Sequence, residues 1–331
     1  MSRLGIVVNP MSGRDVRRVA ARASTQTHHD KQQTVTRLVL AALEQGVTDV
    51  YLANEPFRIN SRAIENLPQR EQAHLLDFRL THTAQDTETM VNLMWEEGCR
   101  TFIVLGGDGT NRIVSRTRPD AAMLPLSTGT NNVFPYMIEA SVAGAAAGLV
   151  ASGRVPVAGN CPRAKRVHVT TETTSDFALV DAVLLRNDIL GNFLPFEAEK
   201  IAALILAIAE PASIGMSPIG GYLMPCSQDD DAAVSIVTGK PAVAQIRAPI
   251  SAGLYGDIPV SRIERIPLDQ SVTLEGPGIL AFDGDREIKV ADKEKVTVTV
   301  RRDGPYLIEP RRVMAAAVKT GALAGTSNTP G

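Results

Sequence analysis

The sequence predicts an α/β N-terminal domain with a Rossmann-like parallel sheet, followed by a β-rich, sandwich-like C-terminal domain. Up to about residue 153, short apolar strands alternate with helical segments, and three of these strands end in turns rich in Gly, Ser, Thr or Asn. Beyond that point, alternating β-branched segments dominate. The length of 331 residues is enough for two domains, each with its own core.

Repeated units of strand, turn and helix define the first domain. The apolar run at 5–8 ends in a turn at 9–13, and a helical pattern carrying Val16, Val19 and Ala20 follows. The run at 101–105 is continuously apolar, as expected for a strand that is buried on both faces. The other predicted strands lie at 49–53, 75–80 and 124–126, and the other predicted helices at 33–44, 86–97, 140–151 and from residue 111 onward.

The second domain is predicted mainly from strand patterns. We expect strands at 166–171, 178–185, 234–237, 243–248, 272–274 and 296–300. The apolar stretch at 202–209 is interpreted as part of a buried helix at 197–210. A last helix at 310–319 precedes a tail rich in Gly, Ser, Thr and Pro, which we expect to fray. The predicted division is therefore 1–153, 154–309, and a C-terminal helix with a flexible tail at 310–331.

Composition and charge exclude several classes of protein. A formal net charge of -2 provides no basic field for nucleic acid or anionic lipid, and 4% aromatic residues leave few surfaces on which single strands could stack. No apolar run approaches the length of a membrane span, and the N-terminus lacks the pattern of a signal peptide. Cys99, Cys161 and Cys226 are widely spaced, which suits a reducing compartment. We expect a cytoplasmic protein whose partner is a small molecule or nucleotide, with no nucleic-acid or membrane partner.

The sharpest motif is the turn Gly106-Gly107-Asp108-Gly109-Thr110, which follows the buried strand at 101–105. Glycines at such a turn let phosphates approach the backbone N–H groups, and open α/β sheets bind ligands where their strands end. Asp108 could orient and deprotonate a hydroxyl nucleophile, or hold Mg²⁺ on nucleotide phosphates. The alternative is an ordinary tight turn whose Asp bonds its own backbone.

Other phosphate-binding and hydrolytic motifs are missing from the sequence. Gly239-Lys240 has Val234 where a Walker loop needs glycine, and a dinucleotide fingerprint begun at Gly107 would place glycine at the position of Arg112. There is no Gly-x-Ser-x-Gly elbow, and the five histidines lack zinc-protease spacing. A standard Rossmann dehydrogenase, a serine hydrolase and a zinc protease are thus disfavoured.

Several strings together resemble those of a known kinase superfamily. The strings at 106–110, 8–13 and 282–285 resemble those of NAD kinases and of diacylglycerol or sphingosine kinases, and those at 126–132 and 134–135 resemble the acetoin-catabolism protein X group. The resemblance covers most of the chain. It implies an NAD kinase-like fold with the active site in the cleft between the domains, and ATP with Mg²⁺ as the phosphoryl donor system. It also implies self-association into a homo-oligomer.

The resemblance further implies a set of site residues. The catalytic base would be Asp108, and Asp283 would lie at the metal. The nucleotide and phosphate would be bound by Asn9, Gly106, Gly107, Gly109, Thr110, Gly129, Thr130, Asn131, Asn187 and Asp188. Two matches are approximate, because Thr130 replaces a glycine of the lipid-kinase turn and Asp188 replaces the Glu of an Asn-Glu pair in NAD kinases. Asp283-Gly284 is equally consistent with an ordinary hairpin turn.

The identity of the phosphoryl acceptor is left open between three hypotheses. The first is a kinase that acts on NAD or a related nucleotide, and the second is a kinase for a small hydroxy or keto metabolite of the acetoin type. The segment at 131–135 departs from the Gly-rich substrate segment of NAD kinases, which favours the second. The third is a non-catalytic nucleotide sensor. Retention of Asp108 argues against it, because a protein that only binds nucleotide needs the glycines but not the base.

Overall fold

In the computed structural model, residues 1–13, 26–129, 132–192, 194 and 196–324 are described. The helical pattern carrying Val16, Val19 and Ala20, the binding residues Thr130 and Asn131, and the tail after residue 324 lie outside this part of the chain.

The described residues form seventeen strands and seven α-helices. The strands are β1 (Arg3–Val8), β2 (Asp49–Ala53), β3 (Ala73–Leu76), β4 (Thr101–Leu105), β5 (Ala122–Leu126), β6 (Arg166–Thr170), β7 (Ser175–Ala178), β8 (Asp181–Leu185), β9 (Ile201–Leu206), β10 (Ala232–Thr238), β11 (Ala244–Ser251), β12 (Leu254–Pro267), β13 (Ser271–Glu275), β14 (Gly278–Phe282), β15 (Asp285–Val290), β16 (Lys295–Arg301) and β17 (Tyr306–Leu307). The helices are α1 (His28–Glu44), α2 (Ile59–Ile64), α3 (Gln85–Glu96), α4 (Asp108–Thr117), α5 (Ala140–Ala151), α6 (Ser217–Gly221) and α7 (Pro310–Lys319).

The strands build one parallel sheet and two antiparallel sheets. The first sheet has the order β17-β5-β4-β1-β2-β3, and its strands all run parallel. The second domain contributes a seven-stranded sheet with the order β11-β12-β10-β9-β8-β14-β15 and a four-stranded sheet with the order β13-β16-β6-β7, both antiparallel. The predicted fold class, a parallel α/β domain followed by a β-rich domain, is confirmed.

Both faces of the parallel sheet are covered. On one face, α1, α5 and α7 bury a core with Ile6, Ile103 and Leu124. Helices α1 and α5 pack so closely that a Cβ on Gly144 would lie 2.5 Å from the Leu38 carbonyl oxygen. On the opposite face, the core continues into the space between the two antiparallel sheets. The two domains therefore share hydrophobic packing, and the ends of β1 and β4 face the second domain.

The predicted helix at 197–210 is wrong. A short 3₁₀ turn at Ala198–Lys200 leads directly into strand β9, which pairs with β8 on one side and β10 on the other. The run Ile201–Leu206 is almost wholly buried in the middle of the seven-stranded sheet. A short, continuously apolar run fits a buried strand or a buried helix equally well, so its periodicity could not distinguish them.

The last described residues return to the first sheet. Strand β17 adds to β5 in parallel, and α7 packs against α5.

The predicted strand at 75–80 is shorter than expected, since β3 ends at Leu76. Across the described segments, none of the helices has both the length and the apolar character needed to cross a membrane.

Candidate active site

A cavity of about 1020 Å³ lies between the ends of the parallel strands and the second domain. Asn9 and Asp108 line it from just beyond the ends of β1 and β4, and Asp181 and Asp283 line it from the second domain. Its volume is at the upper end of the range for small-molecule sites. The cavity is therefore the candidate active site, and it lies between the domains, where the resemblance implied a cleft.

Two glycines of the turn, Gly106 and Gly107, have neighbours where a side chain would begin. A Cβ on Gly106 would lie 2.7 Å from the Cβ of Thr110, and a Cβ on Gly107 would lie 2.9 Å from the Oδ1 of Asn132. Gly107 is the N-cap of α4 and Asp108 is its first residue. The first N–H groups of a helix have no partner within the helix and carry partial positive charge, so this turn is suited to binding an anion.

Asp108 bonds a neighbouring loop rather than its own turn, which excludes the ordinary-turn interpretation. Its carboxylate accepts hydrogen bonds from the backbone N–H of Phe134 at 3.0 Å and from that of Val133 at 3.2 and 3.3 Å. Burial, and secondarily the negative charge of Asp283, raises the pKa of Asp108 to about 7. A carboxyl group with this pKa can exchange a proton near neutral pH.

Asp283 occupies a two-residue hairpin turn between β14 and β15, and its φ is 49°. Its Oδ1 accepts from the N–H groups of Leu179 and Val180 at 3.0 and 2.8 Å, and its Oδ2 accepts from Leu179 at 2.9 Å. The side chain has no exposed surface. The hairpin interpretation is therefore confirmed, and the same carboxylate fixes the segment that precedes β8.

These contacts give the carboxylate of Asp283 a structural role, and its place at the metal stays a prediction. No group of three or more His, Cys, Asp or Glu side chains among the described residues is arranged to hold a metal ion. Mg²⁺ commonly binds through substrate phosphates with only one or two carboxylates, a mode that needs no such group.

Asn9 joins the turn after β1 to the glycine turn. Its Nδ2 donates to the Oγ1 of Thr110 at 2.8 Å, and its Oδ1 accepts from the N–H groups of Met11 and Ser12 at 2.9 and 3.1 Å. The ammonium group of Lys31, whose side chain is fully buried, donates to the carbonyl oxygens of Asn9, Pro10 and Ser12 at 2.6 to 2.8 Å. The buried ammonium group of Lys31 thus stabilises the loop after β1, which borders the cavity.

Four of the predicted binding residues do not line the cavity, namely Gly106, Gly129, Asn187 and Asp188. Gly129 bonds through its N–H and carbonyl groups to the hydroxyl of Ser127. Asn187 is exposed at the end of β8. Asp188 is 2.6 Å from the Nε of Arg286, and both side chains are 1% exposed. The assignment of Asn187 and Asp188 to nucleotide binding is corrected, because Asp188 forms a buried ion pair of the second domain.

Sequence reasoning missed several charged residues of the cavity wall, among them Asp181, Arg112 and Glu287. Burial, and then the charges of Asp283 and Asp108, raises the pKa of Asp181 well above its usual range. The Oδ1 of Asp181 has no hydrogen-bond partner among the described residues. An isolated carboxylate in the apolar run 179–185 was a signal that could have identified Asp181. Arg112 and Glu287 carry no comparable signal.

Comparisons with known proteins agree with this architecture. The ATP-NAD kinase N-terminal domain matches residues 4–155, and the acetoin catabolism protein X C-terminal domain matches residues 165–303. The acetoin catabolism protein X of Cupriavidus necator is 32% identical over 312 residues, which are 90% of this chain and 87% of that protein. The crystal structure of yeast NADH kinase complexed with NADH matches with a TM-score of 0.53 and 14% identity, over 100% of this chain and 90% of that one. The likeness to the yeast structure concerns the fold.

Proposed function

We propose that this chain, which belongs to the acetoin catabolism protein X family, is an ATP-dependent phosphotransferase that transfers the γ-phosphoryl group to a hydroxyl of NAD or a related nucleotide. One observation carries the proposal. Asp108, with its pKa raised to about 7, is the first residue of α4, where the first N–H groups of the helix have no partner within the helix. A base and an anion site thus lie side by side on the wall of one cavity.

In the proposed reaction, the carboxylate of Asp108 takes the proton from the acceptor hydroxyl. The resulting oxygen attacks the γ-phosphorus of ATP, and ADP leaves. The N–H groups at the start of α4 stabilise negative charge on the phosphate oxygens. Mg²⁺ would enter as the ATP complex, held mainly by the phosphates. The chain's own contribution is a positioned base and a rigid phosphate loop.

A small hydroxy or keto metabolite is a second candidate acceptor. The observation that favours it is the position of Asn187 and Asp188, which resemble the nucleotide-contacting pair of NAD kinases but do not line the cavity. The name of the relative from Cupriavidus necator, acetoin catabolism protein X, points in the same direction. A non-catalytic nucleotide sensor is a third candidate, and the presence of Asp108 argues against it, because a protein that only binds nucleotide does not need the base.

The test is ADP release from ATP and Mg²⁺ by the purified protein, with NAD and then with a panel of hydroxy-ketones and polyols. Asp108→Asn removes the base, and Asp257→Asn changes an exposed carboxylate as the matched control. We expect turnover with NAD that Asp108→Asn loses and Asp257→Asn keeps. Turnover with a small metabolite alone would move the chain to the second candidate. ATP binding without turnover on any acceptor would favour the sensor.

A further inference from the structure

Arg112 lies on the cavity wall, one helical turn after Asp108 on α4. The residue is 6% exposed, and its Nη2 forms an ion pair with the Oε1 of Glu287. Its Nε is 4.0 Å from the Oδ2 of Asp283, too far for a hydrogen bond. The guanidinium group also lies 5.9 Å from the centre of the Phe282 ring. The cation is therefore fixed in place next to the candidate base.

The ion pair leaves most of the guanidinium unsatisfied. Nε and Nη1 of Arg112 are buried and have no hydrogen-bond partner among the described residues, and Glu287 engages Nη2 through a single oxygen. A guanidinium group presents its N–H donors as a planar fork that fits two oxygens of a carboxylate or phosphate at once. A buried donor without a partner is unfavourable. A ligand that engages two of the three nitrogens would therefore be bound better than Glu287.

The two partners of this ion pair differ in their freedom to move. The side chain of Arg112 is 7% exposed, whereas that of Glu287 is 31% exposed. Glu287 can thus turn towards solvent while Arg112 stays in place. Among the described lining residues the other side chain with a permanent positive charge is Arg116, which is 42% exposed and also pairs with a carboxylate, that of Asp176. Arg112 differs from it in being buried with two unsatisfied nitrogens, so it is the cation that gains more from a bound anion.

We infer that Arg112 is a phosphate-binding residue and that Glu287 occupies it until a phosphate-bearing ligand takes its place. The inference rests on the proposed function in one respect, namely that the ligand of this cavity carries phosphate. The bound oxyanion lies beside Asp108, close to the start of α4. The phosphate belongs either to the nucleotide donor or to the acceptor, and the binding experiment separates these two sources.

The experiment measures binding of inorganic pyrophosphate to the full chain by titration calorimetry, so it needs no turnover. Arg112→Gln should weaken binding about tenfold or more, because a charge-assisted bidentate contact is lost. Glu287→Gln should tighten binding severalfold, because the internal competitor becomes neutral. Arg247→Gln and Glu264→Gln change exposed side chains by the same charge and should leave the affinity unaltered.

The outcomes decide the inference in both directions. Unchanged affinity in Arg112→Gln, or no gain in Glu287→Gln, overturns it; if Arg112→Gln does not fold, Glu287→Gln decides alone. If Arg112→Gln binds ATP and ADP with equal affinity, Arg112 contacts the γ-phosphate of the donor. If Arg112→Gln weakens the binding of NAD but not that of ATP, Arg112 contacts the phosphate of the acceptor. An Arg112-dependent pyrophosphate affinity in a protein without kinase turnover would refute the proposed function and retain this inference.

Discussion

The Nδ2 of Asn9 donates a hydrogen bond of 2.8 Å to the Oγ1 of Thr110, across 101 positions of sequence. This bond ties the loop after β1 to the glycine turn after β4. These are adjacent strands of the parallel sheet, so the two loops at their carboxyl ends form one continuous wall of the cavity.

Asn9→Ala should raise the KM for ATP roughly tenfold, because it removes the bond to Thr110 and the two turn bonds that Asn9 accepts. Thr110→Val should reproduce part of this effect. Thr117→Val removes a hydroxyl from the same helix, outside the cavity, and serves as the control. Steady-state kinetics at varied ATP will measure the effect. An unaltered KM in Asn9→Ala would show that the loop is held without this bond.

Activity should depend on pH through the ionisation of Asp108. The base must be deprotonated, and its pKa is raised to about 7. We expect kcat/KM to increase about tenfold per pH unit below that value and to level off above it. The measurement is kcat/KM for the acceptor from pH 5.5 to 9. A profile that is flat across this range would remove Asp108 from the role of base.

Asp108→Asn should stabilise the protein at alkaline pH. An ordinary Asp in the unfolded chain has a pKa near 3.9, while burial raises the pKa of Asp108 in the folded chain to about 7. Between these values the folded state binds the extra proton, so the wild-type free energy of unfolding falls as pH rises. Asp108→Asn should raise the free energy of unfolding relative to the wild type, and urea unfolding should show this increase to be larger at pH 8 than at pH 5 by at least about 1 kcal/mol. A gain that is equal at both pH values would contradict the raised pKa.

Arg286→Met should destabilise the second domain by about 3 kcal/mol, because it removes the hydrogen-bonded cation of the buried Asp188 carboxylate, which keeps Asn192 and the more distant Lys200. The double variant Asp188→Asn with Arg286→Met should lose less than the sum of the single changes. Arg247→Gln, in an exposed pair, should cost about 0–1 kcal/mol. Denaturant unfolding of the wild type and of the four variants, including the single Asp188→Asn, measures these effects. Simple additivity in the double variant would mean that the pair is not coupled.

Much of the first domain could be predicted because local patterns decide it. The strands at 49–53 and 101–105 were predicted with the bounds that β2 and β4 have. In the second domain, β9 was mistaken for a helix, because only its pairing with β8 and β10 makes a short apolar run a strand. The pair Asn187-Asp188 was wrongly assigned to the site for a related reason. Its residues resemble a family motif, but in the folded chain they do not line the cavity.

The sequence by itself determined the fold class, the superfamily resemblance and the position of Asp108 in a glycine-rich turn after a buried strand. These properties depend on residues that are adjacent in the chain. The tertiary structure decided the chemistry of the site. Burial against the second domain raises the pKa of Asp108, and Arg112 meets Glu287 across 175 positions. Neither relationship has a local signature, because each arises only when the hairpin of β14 and β15 packs against the parallel domain.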